Sequence, residues 1–274
     1  MSKEIFSQPE NSDYKNGLNG LWEKDKQKSL LYNKKIICPV CNSSFNARAI
    51  KKSSYRIIKR DSDFFIRYSI INPYFYDVWV CDSCGYAAIK NDFEHLNDYD
   101  TDIIKEKISS KWHSKNYPEV YDIDLAIQRY KLSLLNYYTI DARASKKAMN
   151  FLKIAWMYRL KEDTKNEMNF LIQALDNFND AYYNEDFPIC GMDRFTTMYL
   201  IGELMRRTGK EEDSLIWFSQ VLTSTMASSK IKNMVRDQKD LIKDSLNDKS
   251  LDGEQSQNIS KENKTHGLFM KFHK

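Results

Sequence analysis

Between residues 55 and 80 the chain alternates short runs of β-branched and aromatic residues, at 55–60, 64–71 and 74–80, with the polar breaks Asp61-Ser62-Asp63 and Asn72-Pro73. Such runs bounded by turn formers predict strands, and three in succession predict a three-strand antiparallel meander. From about Asp92 the period changes. Residues 122–138 place Leu125, Ala126, Ile127, Tyr130, Leu134 and Leu135 three and four apart, behind Pro118. That is the spacing of an amphipathic helix, and the proline stops any helix before it from running on.

From Thr197 onward Ile201-Gly202, Gly209, Ser214-Leu215, Phe218 and Val221-Leu222 follow the order and spacing of a tetratricopeptide repeat. Gly202 would let two helices approach, Gly209 would turn the chain, and Ser214 and Phe218 would pack back on the first helix. The same template laid 47 residues earlier meets Phe151, Ile154-Ala155, Tyr158, Leu171 and Ala174-Leu175, with Glu167 where a small residue is expected. The usual repeat is about 34 residues, so the surplus falls in the loop 179–194. Ala126-Ile127, Tyr130 and Ser133-Leu134 give half a repeat more, and Ile231, Met234, Val235, Leu241, Ile242 and Leu246 continue as an end helix. A generic helical bundle is the plainer reading of the same spacing.

The pattern divides the chain into an irregular arm over 1–33 with a short helix near 21–32, a β region over 34–91, a helical region over 92–247 and a polar, aperiodic tail over 248–274. The fold class expected is α+β: a small antiparallel β zinc ribbon followed by an all-α, tetratricopeptide-like helical array. The metal enters because the β region is bracketed by Cys38-Pro39-Val40-Cys41 and Cys81-Asp82-Ser83-Cys84, 39 residues apart. Two Cys-x-x-Cys pairs offer four thiolates to a tetrahedral Zn2+, with no position left open for chemistry. Asn42 and Gly85, next after each pair, tolerate the left-handed backbone of a metal knuckle. Two disulfides would fit the count but not a cytosolic chain. A redox pair usually stands alone near a βαβ pattern, and iron–sulfur use shares the ligand set. Cys190, with no His or second Cys beside it, reads as an inert thiol.

Charge adds one asymmetry. Lys and Arg number 42 against 38 Asp and Glu, a slight excess, but between Lys34 and Tyr76 nine bases (Lys34, Lys35, Arg48, Lys51, Lys52, Arg56, Lys59, Arg60, Arg67) face only Asp61 and Asp63. Part of that excess would neutralise four metal-bound thiolates. No apolar run reaches the ~18 residues that span a bilayer, and no secretory pattern opens the chain. A cytoplasmic protein without a membrane partner is expected.

Cys-Pro-Val-Cys followed by Phe45, the run Tyr76-Asp77-Val78-Trp79-Val80-Cys81-Asp82-Ser83-Cys84-Gly85-Tyr86-Ala87 and the later stretch Tyr199-Leu200-Ile201-Gly202-Glu203-Leu204-Met205-Arg206-Arg207 resemble a bacterial family catalogued as domain-of-unknown-function family 2225. The likeness runs over 36–246. It implies a zinc-ribbon head on a tetratricopeptide-like body, with Cys38, Cys41, Cys81 and Cys84 matching the family's metal-ligand pattern, and it brings no activity with it.

Three functions can be weighed on these residues. Catalysis lacks its parts: His95 and His113 stand eighteen apart, His266 and His273 lie in the tail, and there is neither a phosphate loop nor a nucleophile elbow. Nucleic-acid binding is the alternative, because Tyr55-Arg56, Lys59-Arg60 and Phe64-Phe65-Ile66-Arg67-Tyr68 interleave aromatics with bases on the ribbon. The favoured expectation is a non-catalytic interaction protein. Its repeat groove would present Trp156, Arg159, Tyr199, Glu203, Arg206 and Arg207 to a protein or peptide partner of acidic character.

Overall fold

The computed structural model describes residues 24–245. They fall in two compact units, one ending at Gly191 and one beginning at Met192. The arm over 1–23 and the tail expected from the sequence lie outside the described residues.

The first unit opens with a short helix α1 (Lys24–Ser29) and three antiparallel hairpins. Strands β1 (Leu31–Ile37) and β2 (Ser44–Ile50) pair without interruption from Leu31↔Ile50 to Ile37↔Ser44. Thus the arm expected to run to residue 33 already enters a strand at Leu31. Strands β3 (Ile57–Arg60) and β4 (Ile66–Tyr68) pair with a bulge between Ile57 and Lys59. Strands β5 (Val78–Val80) and β6 (Ala87–Ile89) form the third hairpin.

The three-strand meander expected over 55–80 is therefore corrected: its third segment pairs with β6 and not with β4. The reason is local. Pro73 has no N–H to give a ladder, and Asn72 accepts from the Tyr74 amide at 3.0 Å, so Pro73–Tyr76 coils as one 3-10 turn before β5 begins.

Helices α2 (Asp98–Lys107), α3 (Ile123–Thr139), α4 (Ala144–Leu160) and α5 (Thr164–Asn184) complete this unit. Asn97, Asp122 and Asp163 cap three of them by accepting from backbone amides of the first turn. Consecutive helices turn back on each other through one repeated device. The Ala142 amide donates to the Tyr137 carbonyl at 2.8 Å and the Asp163 amide to the Tyr158 carbonyl at 3.1 Å. Asp141 (φ 45°) and Glu162 (φ 58°) supply the left-handed residue between. Between α3 and α4 the buried Asn150 side chain donates to Ser133 Oγ at 2.9 Å, and between α4 and α5 the rings of Tyr158 and Phe170 stack at 5.3 Å.

Helix α3 backs the third hairpin. Tyr130 Oη donates to the Tyr74 carbonyl at 2.9 Å, Arg129 Nη2 to the Val78 carbonyl at 2.8 Å, and Tyr137 Oη accepts from the Ile89 amide at 3.2 Å while donating to Asp92. Asp77, at the entry to β5, is buried against Lys153 of α4 and Lys90, the latter at 3.0 Å. Burial works to raise its pKa, but the two ammonium groups outweigh it and hold the carboxyl below its usual range. A depressed native pKa contributes stability above the unfolded value, about 3.9, that disappears as pH falls through the native one. Asp77→Asn should accordingly lower the urea midpoint at neutral pH and flatten the loss of stability below about pH 4. An acid limb as steep as the wild type's would remove Asp77 from the account.

The second unit holds α6 (Arg194–Arg207), α7 (Glu211–Thr223) and a helix α8 over 229–245. Here the turning bond runs from the Lys210 amide to the Met205 carbonyl at 2.8 Å, around Gly209 (φ 79°). The contacts expected of Gly202, Ser214 and Phe218 are present: Ser214 Oγ donates to the Gly202 carbonyl at 2.8 Å, and a Cβ on Gly202 would stand 2.6 Å from Phe218 Cε1. Phe218 is fully buried. Gly202→Ala should therefore cost about 1–3 kcal/mol by overpacking, and Gly202→Ala with Phe218→Leu should recover part of it. Thermal melting of both variants checks this.

Candidate metal centre

The four cysteines sit at the tips of two hairpins built alike. At the β1–β2 turn the Asn42 amide donates to the Cys38 carbonyl at 2.9 Å and the Cys38 amide to the Ser43 carbonyl at 3.0 Å. At the β5–β6 turn the Gly85 amide donates to the Cys81 carbonyl at 2.9 Å and the Cys81 amide to the Tyr86 carbonyl at 2.8 Å. Asn42 (φ 58°) and Gly85 (φ 75°) take the left-handed backbone that closes each tip. Beneath lies one apolar core shared by both hairpins, made of Ile36, Val40, Phe45, Trp79, Tyr86 and Phe93 together with Ile104, Ile108 and Tyr137 from the helices. The hairpins are thus held tip to tip by side chains as well as by sulfur.

All four Sγ atoms lie within 4.8 Å of one another. Cys38 and Cys84 are 3.6 Å apart, as are Cys41 and Cys81. Disulfides would need about 2.05 Å; sulfurs at the corners of a tetrahedron about 2.3 Å from its centre stand about 3.8 Å apart. The spacing fits a shared cation, and an all-sulfur set suits soft or borderline metals over Ca2+ or Mg2+.

The four thiols act strongly on one another's protonation. Cys81 is held far below the ordinary range by hydrogen bonds from Cys38 and Cys84, against burial, with help from the Ser43 hydroxyl and the Cys84 amide. Its neighbours pay the other side: the Cys81 interaction leads in pushing Cys38 up to about 12, and Cys38 and Cys81 push Cys84 higher still. A divalent cation would stabilise the thiolate at all four. Backbone amides are placed to assist, those of Cys41 and Val40 at Cys38 and that of Tyr86 at Cys84.

Three residues that sequence reasoning passed over complete the site. Ser43 bridges the tips, its Oγ 3.0 Å from Cys41 Sγ and 3.4 Å from Cys81 Sγ. Trp112 roofs the second tip: Nε1 donates to the Asp82 carbonyl at 2.8 Å, and a Cβ on Gly85 would fall 2.4 Å from its ring. Gly85 is required for that close approach as well as for its φ. Arg129, buried between the rings of Tyr117 and Tyr121 at 4.9 and 4.8 Å, also acts on the charge of Asp82. A lone tryptophan and a helical arginine carry no spacing signal that could have named them.

Cys190 stands outside the cluster. Its thiol turns inward to donate to the Ser145 carbonyl at 3.3 Å, and burial pushes it up to about 12, although the residue as a whole is exposed.

The remaining candidate residues are occupied within their own units. Trp156 stacks on Phe65 at 5.3 Å and donates through Nε1 to Asp63 at 3.0 Å. Arg159 joins Asp61 at 3.1 Å, Asp63 at 2.7 Å and Glu167 at 2.6 Å. Together they pin the β3–β4 turn to α4. In the second unit Tyr199 and Glu203 are fully buried; Tyr199 stacks with Phe218 at 5.9 Å, and Glu203 accepts from Arg206 at 2.8 Å and Arg207 at 2.6 Å. Of the basic and aromatic ribbon residues, Phe65 is core and Arg67 forms a forked pair with Asp61, whereas Lys51, Lys52, Tyr55, Arg56, Lys59 and Arg60 are exposed.

Two like hairpin tips closing a four-cysteine cluster that could hold a metal ion, followed by a helical array, define an α+β protein. The chain belongs to the family described as an uncharacterized protein conserved in bacteria (DUF2225), whose model matches residues 31–242. It is similar to an uncharacterized protein of Borreliella burgdorferi (strain ATCC 35210 / DSM 4680 / CIP 102532 / B31), 24% identical over 169 residues, a match covering 53% of this chain and 60% of that protein. No solved structure matches the chain. Among the described residues no helix is long and apolar enough to cross a membrane.

Proposed function

We propose that the cluster is a structural zinc centre and that the protein is a non-catalytic, cytoplasmic interaction protein, its helical hairpins forming a tetratricopeptide-like body that receives a protein or peptide partner. The observation that supports this best is the closure of the cluster: four sulfurs within 4.8 Å of one another would fill a tetrahedral metal and leave no position for substrate. The thiols are free and not paired in disulfides, as a reducing compartment requires. Repeated helical hairpins of this kind display side chains for recognition and need no reactive group. Arg206 and Arg207, anchored on the buried Glu203, are the basic positions of that body nearest to an acidic partner's needs.

The test is native isolation of the intact protein with and without nuclease, with elemental analysis of the same sample. About one zinc per chain and a nuclease-resistant protein partner are expected. Substoichiometric zinc, or a redox-active iron content, overturns the zinc assignment, and loss of all partners on nuclease treatment overturns the protein-partner reading.

A further inference from the structure

Every residue of β3 is exposed, with Ile57 at 49% and Ile58 at 56%. β3 pairs with β4 alone, and among the described residues no third strand joins that sheet. Over 51–60 the chain carries Lys51, Lys52, Arg56, Lys59 and Arg60 and no acid. None of these five takes part in an ion pair among the described residues; Lys51 donates to the Ser29 carbonyl at 2.8 Å. The hairpin is nonetheless rigidly seated, because Phe65, Asp61 and Asp63 at its turn are locked onto Trp156 and Arg159.

We propose that β3 is a docking edge for an extended acidic segment of a partner protein, added as a further strand. This rests on the interaction reading above and gives it a surface in the hairpin region. A strand edge offers unpaired backbone donors and acceptors to an extended chain, and alternating side chains supply specificity. Here apolar side chains of the incoming strand would cover Ile57 and Ile58, and its carboxylates would meet Arg56, Lys59 and Arg60. The bulge between Ile57 and Lys59 confines regular pairing to a short segment.

The other occupants fit less well. A second copy pairing edge to edge would bring like charges together. Nucleic acid would want a series of stacking rings, but Phe65 is core, and beyond the exposed Tyr55, which meets Tyr68 edge-on at 5.4 Å, β3 itself carries the aliphatic Ile57 and Ile58. Lysines alone could be a guard against aggregation, yet a guarded edge does not leave two adjacent isoleucines open to solvent.

The experiment uses the full-length, metal-loaded chain and fluorescence anisotropy with three probes: a short peptide alternating Glu and Val, the same peptide N-methylated at alternate amides, and an oligothymidylate of similar charge. The plain peptide should bind, and Ile58→Glu or the pair Lys59→Glu with Arg60→Glu should each weaken it by about tenfold or more, while Lys243→Glu on α8 should leave it unchanged. N-methylation should abolish binding, since it removes the backbone donors and leaves the charge. Equal affinity for the N-methylated peptide, no binding of the plain one, or a tighter and competing oligothymidylate would each overturn the docking edge. The β3 variants can then be isolated natively. One that keeps the partner of the wild type overturns the edge and leaves the interaction reading intact, whereas a wild type without any partner overturns that broader reading.

Discussion

Stripping the metal from the loaded protein should dissolve protection across the two cysteine hairpins and α3 of the first compact unit and leave the second untouched. Structural zinc contributes about 10–16 kcal/mol of apparent binding energy in small domains, comparable with or larger than the ~5–15 kcal/mol net stability of a typical fold. The hairpins cannot lose that alone. Ile104 of α2, Ile108 at its C-terminal cap and Tyr137 of α3 belong to the same core as Cys38, Cys81 and Cys84, and α3 holds the Tyr74, Val78 and Ile89 backbone by side-chain hydrogen bonds. Once β5 and β6 detach, Arg129 loses its carbonyl partner and Tyr137 its amide, both as buried polar groups. Hydrogen exchange read by mass spectrometry should show faster exchange across β1, β2, β5, β6 and α3 after chelation, with α6 and α7 unchanged. Cys84→Ser should behave the same way without a chelator. If α3 kept full protection while the hairpins lost theirs, the cysteine region would be an independent domain, which is the division over 34–91 and 92–247 that hydrophobic patterning alone suggests.

What could be read from the sequence, and what could not, follows from how far each signal reaches. Four cysteines in two Cys-x-x-Cys pairs have few chemical uses, and the residue after each pair, Asn42 and Gly85, does adopt positive φ. Gly202, Ser214 and Phe218 were legible because one glycine, one small polar residue and one ring at set spacing leave a single way for α6 and α7 to pack. By contrast β1 buries only Leu31 and Ile36 around an exposed Tyr32-Asn33-Lys34-Lys35, so it shows no alternation from which a strand could be inferred. Strand partners are not encoded in strand composition. Residues 74–80 looked like a third strand of a meander, and only the 3-10 turn at Pro73–Tyr76 sends β5 to β6.

The helix turns make the same point. Gly209 announces its turn, whereas Asp141 and Glu162 do the same work with ordinary side chains at φ 45° and 58°. Charge at a turn was also ambiguous. Asp61-Ser62-Asp63 has the composition of a solvated loop, but both carboxylates are buried because Arg159, nearly a hundred residues later, comes to meet them. The local sequence carries no trace of that partner.

Arg159→Ala should accordingly be among the most destabilising single substitutions outside the cysteines, by about 3–5 kcal/mol in urea unfolding. Its guanidinium, 10% exposed, meets Asp61 at 3.1 Å, Asp63 at 2.7 Å and Glu167 at 2.6 Å. Burial opposes its charge, but Asp63 and Glu167 outweigh that and raise its pKa. Truncation leaves Asp61 with Arg67 at 2.8 Å, whereas Asp63, fully buried, loses its guanidinium contact and retains the neutral Trp156 N–H at 3.0 Å and the Phe65 amide at 3.4 Å. An unbalanced buried carboxylate is what makes breaking such a cluster costly, even where the intact cluster adds little over an apolar replacement. Arg159→Lys should recover only part of the loss, because one ammonium cannot span three carboxylates in a fixed fork. Adding Asp63→Asn to Arg159→Ala should be less harmful than the sum of the two alone, since it removes the charge that Arg159 balanced. Arg206→Ala makes the comparison, because Arg207 still answers Glu203 at 2.6 Å and the expected cost is smaller. Should Arg159→Ala instead cost only the ~0–1 kcal/mol of an exposed ion pair, the cluster would not be holding β3 and β4 to α4, and Arg159 would return as a side chain available to a partner.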